Sequence, residues 1–138
     1  MPRPLRRLAP ALAWLVGAQL AAAAPPDWEA LRELETVEVV TRDERGEARE
    51  TTVWLVVLDG EGYLRTGRTR WGAEVERSRE LVLRAPGTEL PLRVELVEDD
   101  ALRGRVAQAF RAKYGLTDRL VSWPRGSRPR IMRLRALE

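Results

Sequence analysis

The stretch that most limits what this chain can fold into runs from Arg49 to Trp71, R-E-T-T-V-W-L-V-V-L-D-G-E-G-Y-L-R-T-G-R-T-R-W. Val53 to Leu58 is an unbroken apolar run rich in β-branched residues, the composition of a strand buried on both faces. Asp59-Gly60 follows, the dipeptide that closes tight hairpins because both residues tolerate positive φ. A second strand then delivers Arg65, Thr66, Arg68, Thr69, Arg70 and Trp71 to one end. Guanidinium groups, hydroxyls and an indole in so short a span suit an anion held beside a flat ring.

The rest of the chain reads as short strands with one substantial helix. Asp27 is an N-cap for a short helix, Trp28 to Leu34, and Thr36 to Arg42 is a strand. Asp43 to Glu47 is a charged hairpin turn, and Trp71 to Arg77 holds one or two helical turns with Trp71 and Val75 spaced i,i+4. Glu80 to Arg84 is a strand, and Ala85-Pro86-Gly87-Thr88 is a turn. In Thr88 to Val97, Leu90, Leu92, Val94 and Leu96 point one way while Pro91, Arg93 and Glu95 point the other. Acids at Glu98 to Asp100 start a helix whose buried stripe is Leu102, Val106 and Phe110, and Gly115 stops it. Leu116 to Arg128 is a loop. Arg130 to Leu137 is the last strand, with Met132, Leu134 and Ala136 opposite Arg133 and Arg135. The expected class is mainly β (α+β): a small antiparallel barrel of about six strands with one main helix and one or two short ones.

The first two dozen residues stand apart. Three arginines without an acid, a short apolar core and Ala21-Ala22-Ala23-Ala24 describe a secretory signal peptide over residues 1–24, leaving a single domain over 25–138. The expected location is periplasmic or secreted, with no stable membrane insertion after cleavage. The leader holds three of the chain's 24 basic residues, so the remainder carries 21 basic and 21 acidic side chains and is formally neutral. Those charges are interleaved, so no nucleic-acid partner is expected. The chain has no cysteine and no histidine. That excludes disulfides, a thiol nucleophile, haem attachment through cysteine, and every Ser-His-Asp arrangement. Neither a metal nor haem is expected, and any redox chemistry would have to be borne by a cofactor.

The order of elements resembles the split β-barrel superfamily. This superfamily includes pyridoxamine-phosphate oxidases, flavin reductases and deazaflavin-dependent nitroreductases, with a small bacterial family of unknown function grouped beside them. The points of contact are G-E-A-R-E-T-T-V-W, G-Y-L-R-T-G-R-T-R-W, R-V-E-L-V leading into a helix, A-F-R-A-K-Y-G after it, and S-R-P-R-I-M-R-L at the end. The resemblance implies a split barrel that pairs as a homodimer and binds FMN or a deazaflavin, a possible oxidoreductase in which the cofactor transfers hydride. It implies that Arg49, Thr51 and Thr52 hold the cofactor phosphate, and that Arg65, Thr66, Arg68 and Trp71 form a second group. The chain departs from the deazaflavin enzymes at Arg42-Asp43-Glu44-Arg45-Gly46, which keeps only a glycine of their G-R-x-S-G run. It also carries Glu74 where relatives often have asparagine. An acid there is expected to repel a phosphate, and Glu74→Asn to strengthen binding. The alternative class is a non-catalytic periplasmic module that binds another small ligand or a protein partner.

Overall fold

A computed structural model describes residues 26–115 and 128–137. The leader, and all of the loop expected over Leu116 to Arg128 except Arg128, lie outside the described residues.

The chain forms α1 (Trp28–Leu31), β1 (Val37–Arg42), β2 (Ala48–Val53), β3 (Val56–Leu58), β4 (Glu61–Thr66), α2 (Arg70–Ser78), β5 (Glu80–Ala85), β6 (Thr88–Leu96), α3 (Asp100–Tyr114) and β7 (Arg130–Ala136). Local chemistry sets the turns. Asp59 and Gly60 both have positive φ, as a two-residue hairpin between Leu58 and Glu61 demands. Gly87 takes φ +75° after Pro86, the geometry of a type II turn between β5 and β6. Asp27 caps α1, and Asp99 caps α3 by accepting from Leu102 N.

All seven strands lie in one antiparallel sheet, in the order β2-β1-β5-β6-β7-β4-β3. The two edge strands, β2 and β3, are joined by only Trp54 and Leu55. Laid flat, seven strands would hold their edges roughly 29 Å apart, whereas so short a link reaches about 10 Å. The sheet must therefore curl until its edges meet. The closure is made by the covalent chain, with no ladder between β2 and β3. Among the described residues the count is seven strands rather than about six, because the apolar run Val53 to Leu58 breaks at this crossing.

Two clusters fill the two sides of the curl. Inside, Val37, Val39, Val53, Leu64, Leu83, Leu92, Met132 and Leu134 pack with Trp28 and Leu31 of α1 and Trp71 and Val75 of α2. Outside, α3 lays Val106 and Phe110 on Val56, Tyr63 and Ile131. Each such large apolar side chain contributes on the order of 1.5–3 kcal/mol when buried. Gly62 admits α1 to the inner side: a Cβ there would lie 2.6 Å from the Trp28 ring.

Candidate functional site

The site is built where α2 meets the inner face of β1 and β2. Thr69 caps α2, its Oγ1 accepting from Gly72 N at 3.1 Å and lying 2.7 Å from Thr66 Oγ1. Gly72 allows the helix to sit this close, since a Cβ would meet Thr66, Thr69 and Arg130 at 2.8–3.0 Å. Trp71, Glu74 and Val75 then turn inward together. Trp71 and Val75 are core. Glu74 is a carboxylate only 6% exposed on the same helical stripe.

A buried carboxylate is costly unless its oxygens are matched by donors. Thr41 Oγ1 donates to Glu74 Oε1 at 2.7 Å, and Arg49 Nε donates to Oε1 and Oε2 at 3.0 and 3.1 Å. Thr41 and Arg49 are register partners across β1 and β2. Strand alternation puts Arg49, Thr51 and Val53 on one face, and Val53 belongs to the inner core. The hydrogen bond from Arg49, aided by Thr41, holds the Glu74 carboxyl below the usual carboxylate range despite its burial. The same bond raises the Arg49 pKa. Only Nε of Arg49 is engaged: its terminal nitrogens make no hydrogen bond among the described residues, and its side chain is 34% exposed.

The residues expected at the site are thus distributed over several surfaces. Arg49 and Thr51 share a face two residues apart, with Thr51 half-buried. Thr52 is exposed on the opposite face of β2. Thr66 is buried against Thr69, and Trp71 is buried in the core rather than presented as a stacking surface. Arg65 lies on the other side of β4, its guanidinium 4.4 Å from the Phe110 ring of α3. Arg68 is exposed in the turn before α2. Three residues outside the expected set organise this region: Thr41, Glu74 and Arg130. Arg130 ties α2 to the preceding turn through Glu76 Oε2 (2.6 Å) and Gly67 O (2.7 Å). The signal for Glu74 was present in the sequence. It stands three residues after Trp71 and one before Val75, on the buried stripe, where a carboxylate requires a donor. Among the described residues, no three His, Cys, Asp or Glu side chains gather as a metal site, and no helix is long and apolar enough to cross a membrane.

A curled antiparallel sheet closed by its own chain, with one long helix on its outer side, defines a split β-barrel. Solved structures of like shape include the heme storage protein HutZ of Vibrio cholerae, at 13% identity and TM-score 0.61 over 75% of this chain and 82% of that one. A FAD-binding protein of Mesorhizobium loti matches at 10% identity and TM-score 0.61, covering 81% and 88%. A putative pyridoxamine 5'-phosphate oxidase of Listeria innocua matches at 15% identity and TM-score 0.57, covering 90% and 94%. Searched by sequence, no curated protein matches. A family profile described as "Uncharacterized protein conserved in bacteria (DUF2255)" matches residues 27–134, and the chain belongs to that family.

Proposed function

We propose that the protein is an exported split barrel that binds a phosphate-bearing cofactor of the flavin or deazaflavin class. The observation that carries this reading is the state of Arg49. It is anchored through Nε, its terminal nitrogens make no hydrogen bond among the described residues, and Arg49 and Thr51 share one face of β2. Those groups fit a phosphate, which takes charge-assisted donors in pairs. Proteins of the same fold include FAD-binding ones, which supports the choice of ligand class. Heme-binding proteins share the fold as well, but this chain has no histidine or cysteine to serve as an axial ligand. Its described tyrosines and Met132 are committed elsewhere: Tyr63 and Met132 are buried in the two clusters, and the Tyr114 hydroxyl is bonded to backbone. A bound flavin would supply hydride transfer, while Arg49 and Thr51 bind and orient its phosphate.

Titration of the purified protein with flavin mononucleotide and with a deazaflavin, followed by fluorescence, tests the reading. Arg49→Ala is expected to weaken binding roughly ten- to hundredfold, the loss of a hydrogen bond to a charged group. If neither cofactor binds wild type at micromolar levels, the non-catalytic ligand-binding or interaction module replaces it.

Export and pairing belong to the same proposal. The leader pattern supports the first, and the likeness to split barrels supports the second. Native mass spectrometry of protein from the cell envelope should show a start near Ala24 or Pro25 and a doubled mass. An intact Met1 would sink export, and a strictly single mass would sink pairing.

A further inference from the structure

We infer that Glu74 and Thr41 act as positioning residues for Arg49, so that Glu74 assists an anion at this site instead of opposing it. The inference rests on the phosphate-binding reading above and reverses the expectation drawn from the sequence, in which an acid at position 74 repels a phosphate.

Both views agree that a carboxylate stands near the proposed phosphate, and geometry decides between them. The Glu74 side chain is 8% exposed. One of its oxygens takes the Thr41 hydroxyl, and both face Arg49 Nε. The carboxylate is thus buried while the Arg49 side chain bonded to it is 34% exposed. A guanidinium has five N–H donors in a fixed plane, and using Nε leaves the four on its terminal nitrogens. One N–H from each terminal nitrogen points along the end-on edge, the pair that matches two oxygens of a phosphate. A free arginine loses much rotamer freedom when it grips a ligand, and one already fixed at Nε loses less. Thr41 completes the device. It is 2% exposed on β1, directly across from Arg49, and its hydroxyl fixes the carboxylate that fixes the guanidinium.

The two views predict opposite signs. The probes are flavin mononucleotide and inorganic phosphate, titrated into wild type, Glu74→Gln, Thr41→Val, Arg49→Ala and the Arg49→Ala/Glu74→Gln double variant. Thermal melts run in parallel. Glu74→Gln keeps the shape and one acceptor but loses the charge that grips Nε. It is expected to weaken flavin mononucleotide binding roughly two- to tenfold, the cost of ordering one long side chain at the moment of binding. Thr41→Val should move binding in the same direction by less. The double variant should bind no worse than Arg49→Ala alone, because Glu74 has nothing left to position. The Arg49 Nε–H proton, identified by its absence in Arg49→Ala, should be slow to exchange in wild type and fast in Glu74→Gln. Tighter or unchanged binding by Glu74→Gln overturns the inference and leaves the phosphate reading standing. So does a loss that persists on the Arg49→Ala background, since that marks a general structural effect. If wild type binds neither probe, the phosphate reading falls and this inference falls with it.

Discussion

Two of the places where a helix meets the curled sheet bury polar groups in opposite ways. At the end of α3, Lys113 Nζ donates to Leu34 O and Leu55 O at 2.6 and 2.7 Å. The Tyr114 hydroxyl donates to Glu35 O at 2.8 Å and accepts from Leu55 N at 3.2 Å. Every partner there is backbone, and two of them belong to Leu55, where the chain crosses from one sheet edge to the other. Burial holds the lysine's pKa below its ordinary value, which suits a group packed against carbonyls without a carboxylate of its own. On α2, Glu74 takes its donors from side chains, and one of these keeps unused donors at a partly exposed surface. Polar groups satisfied by backbone fix the path of the chain. Polar groups satisfied by side chains with donors to spare can hold something else. Changes at the α3 end should therefore register in stability, and changes around Glu74 chiefly in binding.

The strongest way to break this division is Phe110→Ala. Phe110 is 1% exposed and joins Val56, Tyr63 and Ile131 under α3. Its truncation is expected to cost about 3–5 kcal/mol in urea unfolding, while residual flavin binding by the folded fraction stays near wild type. A loss below about 1 kcal/mol would mean that α3 is not integral to the barrel. Tyr114→Phe probes the same end more gently. The ring stays stacked on Trp54, at 4.0 Å between centroids, but Leu55 N–H loses its acceptor. The expected cost is about 1–3 kcal/mol, read from the urea midpoint, with no change in the affinity set by Arg49. A shift in binding without a shift in stability would invert the comparison.

The same contrast explains which parts of the molecule were legible in the sequence. The run Val53 to Leu58 reads as one strand buried on both faces; the burial is there, but the run is divided between the end of β2 and β3. Val53, Leu55 and Val57 face the inner cluster, while Trp54, Val56 and Leu58 lie against α3. Its break was hidden because alternation continues unchanged across Trp54 and Leu55 while the hydrogen-bonding partner switches from β1 to β4. The stripe Val106 and Phe110, the Asp-Gly hairpin and the alternation in Thr88 to Leu96 were legible because each is a local pattern. Ile131 was missed because it shares a face with Arg133, a face that reads as solvated until α3 covers it. At the candidate site, alternation places Arg49 and Thr51 together, but their meeting with Glu74 joins residues 25 positions apart. No local period reports such a contact. Only the demand of a buried carboxylate for donors points to it.

The smallest expected effect concerns the Arg49–Glu74 pair itself, and it sharpens the comparison by separating stability from binding. Glu74 has a folded-state pKa below its ordinary value of about 4.5, chiefly through the hydrogen bond from Arg49. A carboxyl of this kind binds fewer protons folded than unfolded near that pH. Its contribution to stability is therefore fully present above about pH 4.5 and is lost as pH falls through the lower folded-state value. In Arg49→Ala the main cause of the lowering is gone, and burial pushes the Glu74 pKa upward against Thr41 alone. Wild type should accordingly be more stable than Arg49→Ala at neutral pH, and the gap should narrow as the solution is acidified below about pH 4.5. Glu29 and Glu76 are also lowered, by Arg32 and Arg130, but both are exposed and present in both proteins, so they cancel in the difference. Urea midpoints of the two proteins from neutral pH down to the acid limb measure the gap directly. A gap that stays constant or widens on acidification would show that Glu74 does not depend on Arg49 for its charge, and the division between a structural α3 end and a ligand-facing α2 end would lose its clearest physical mark.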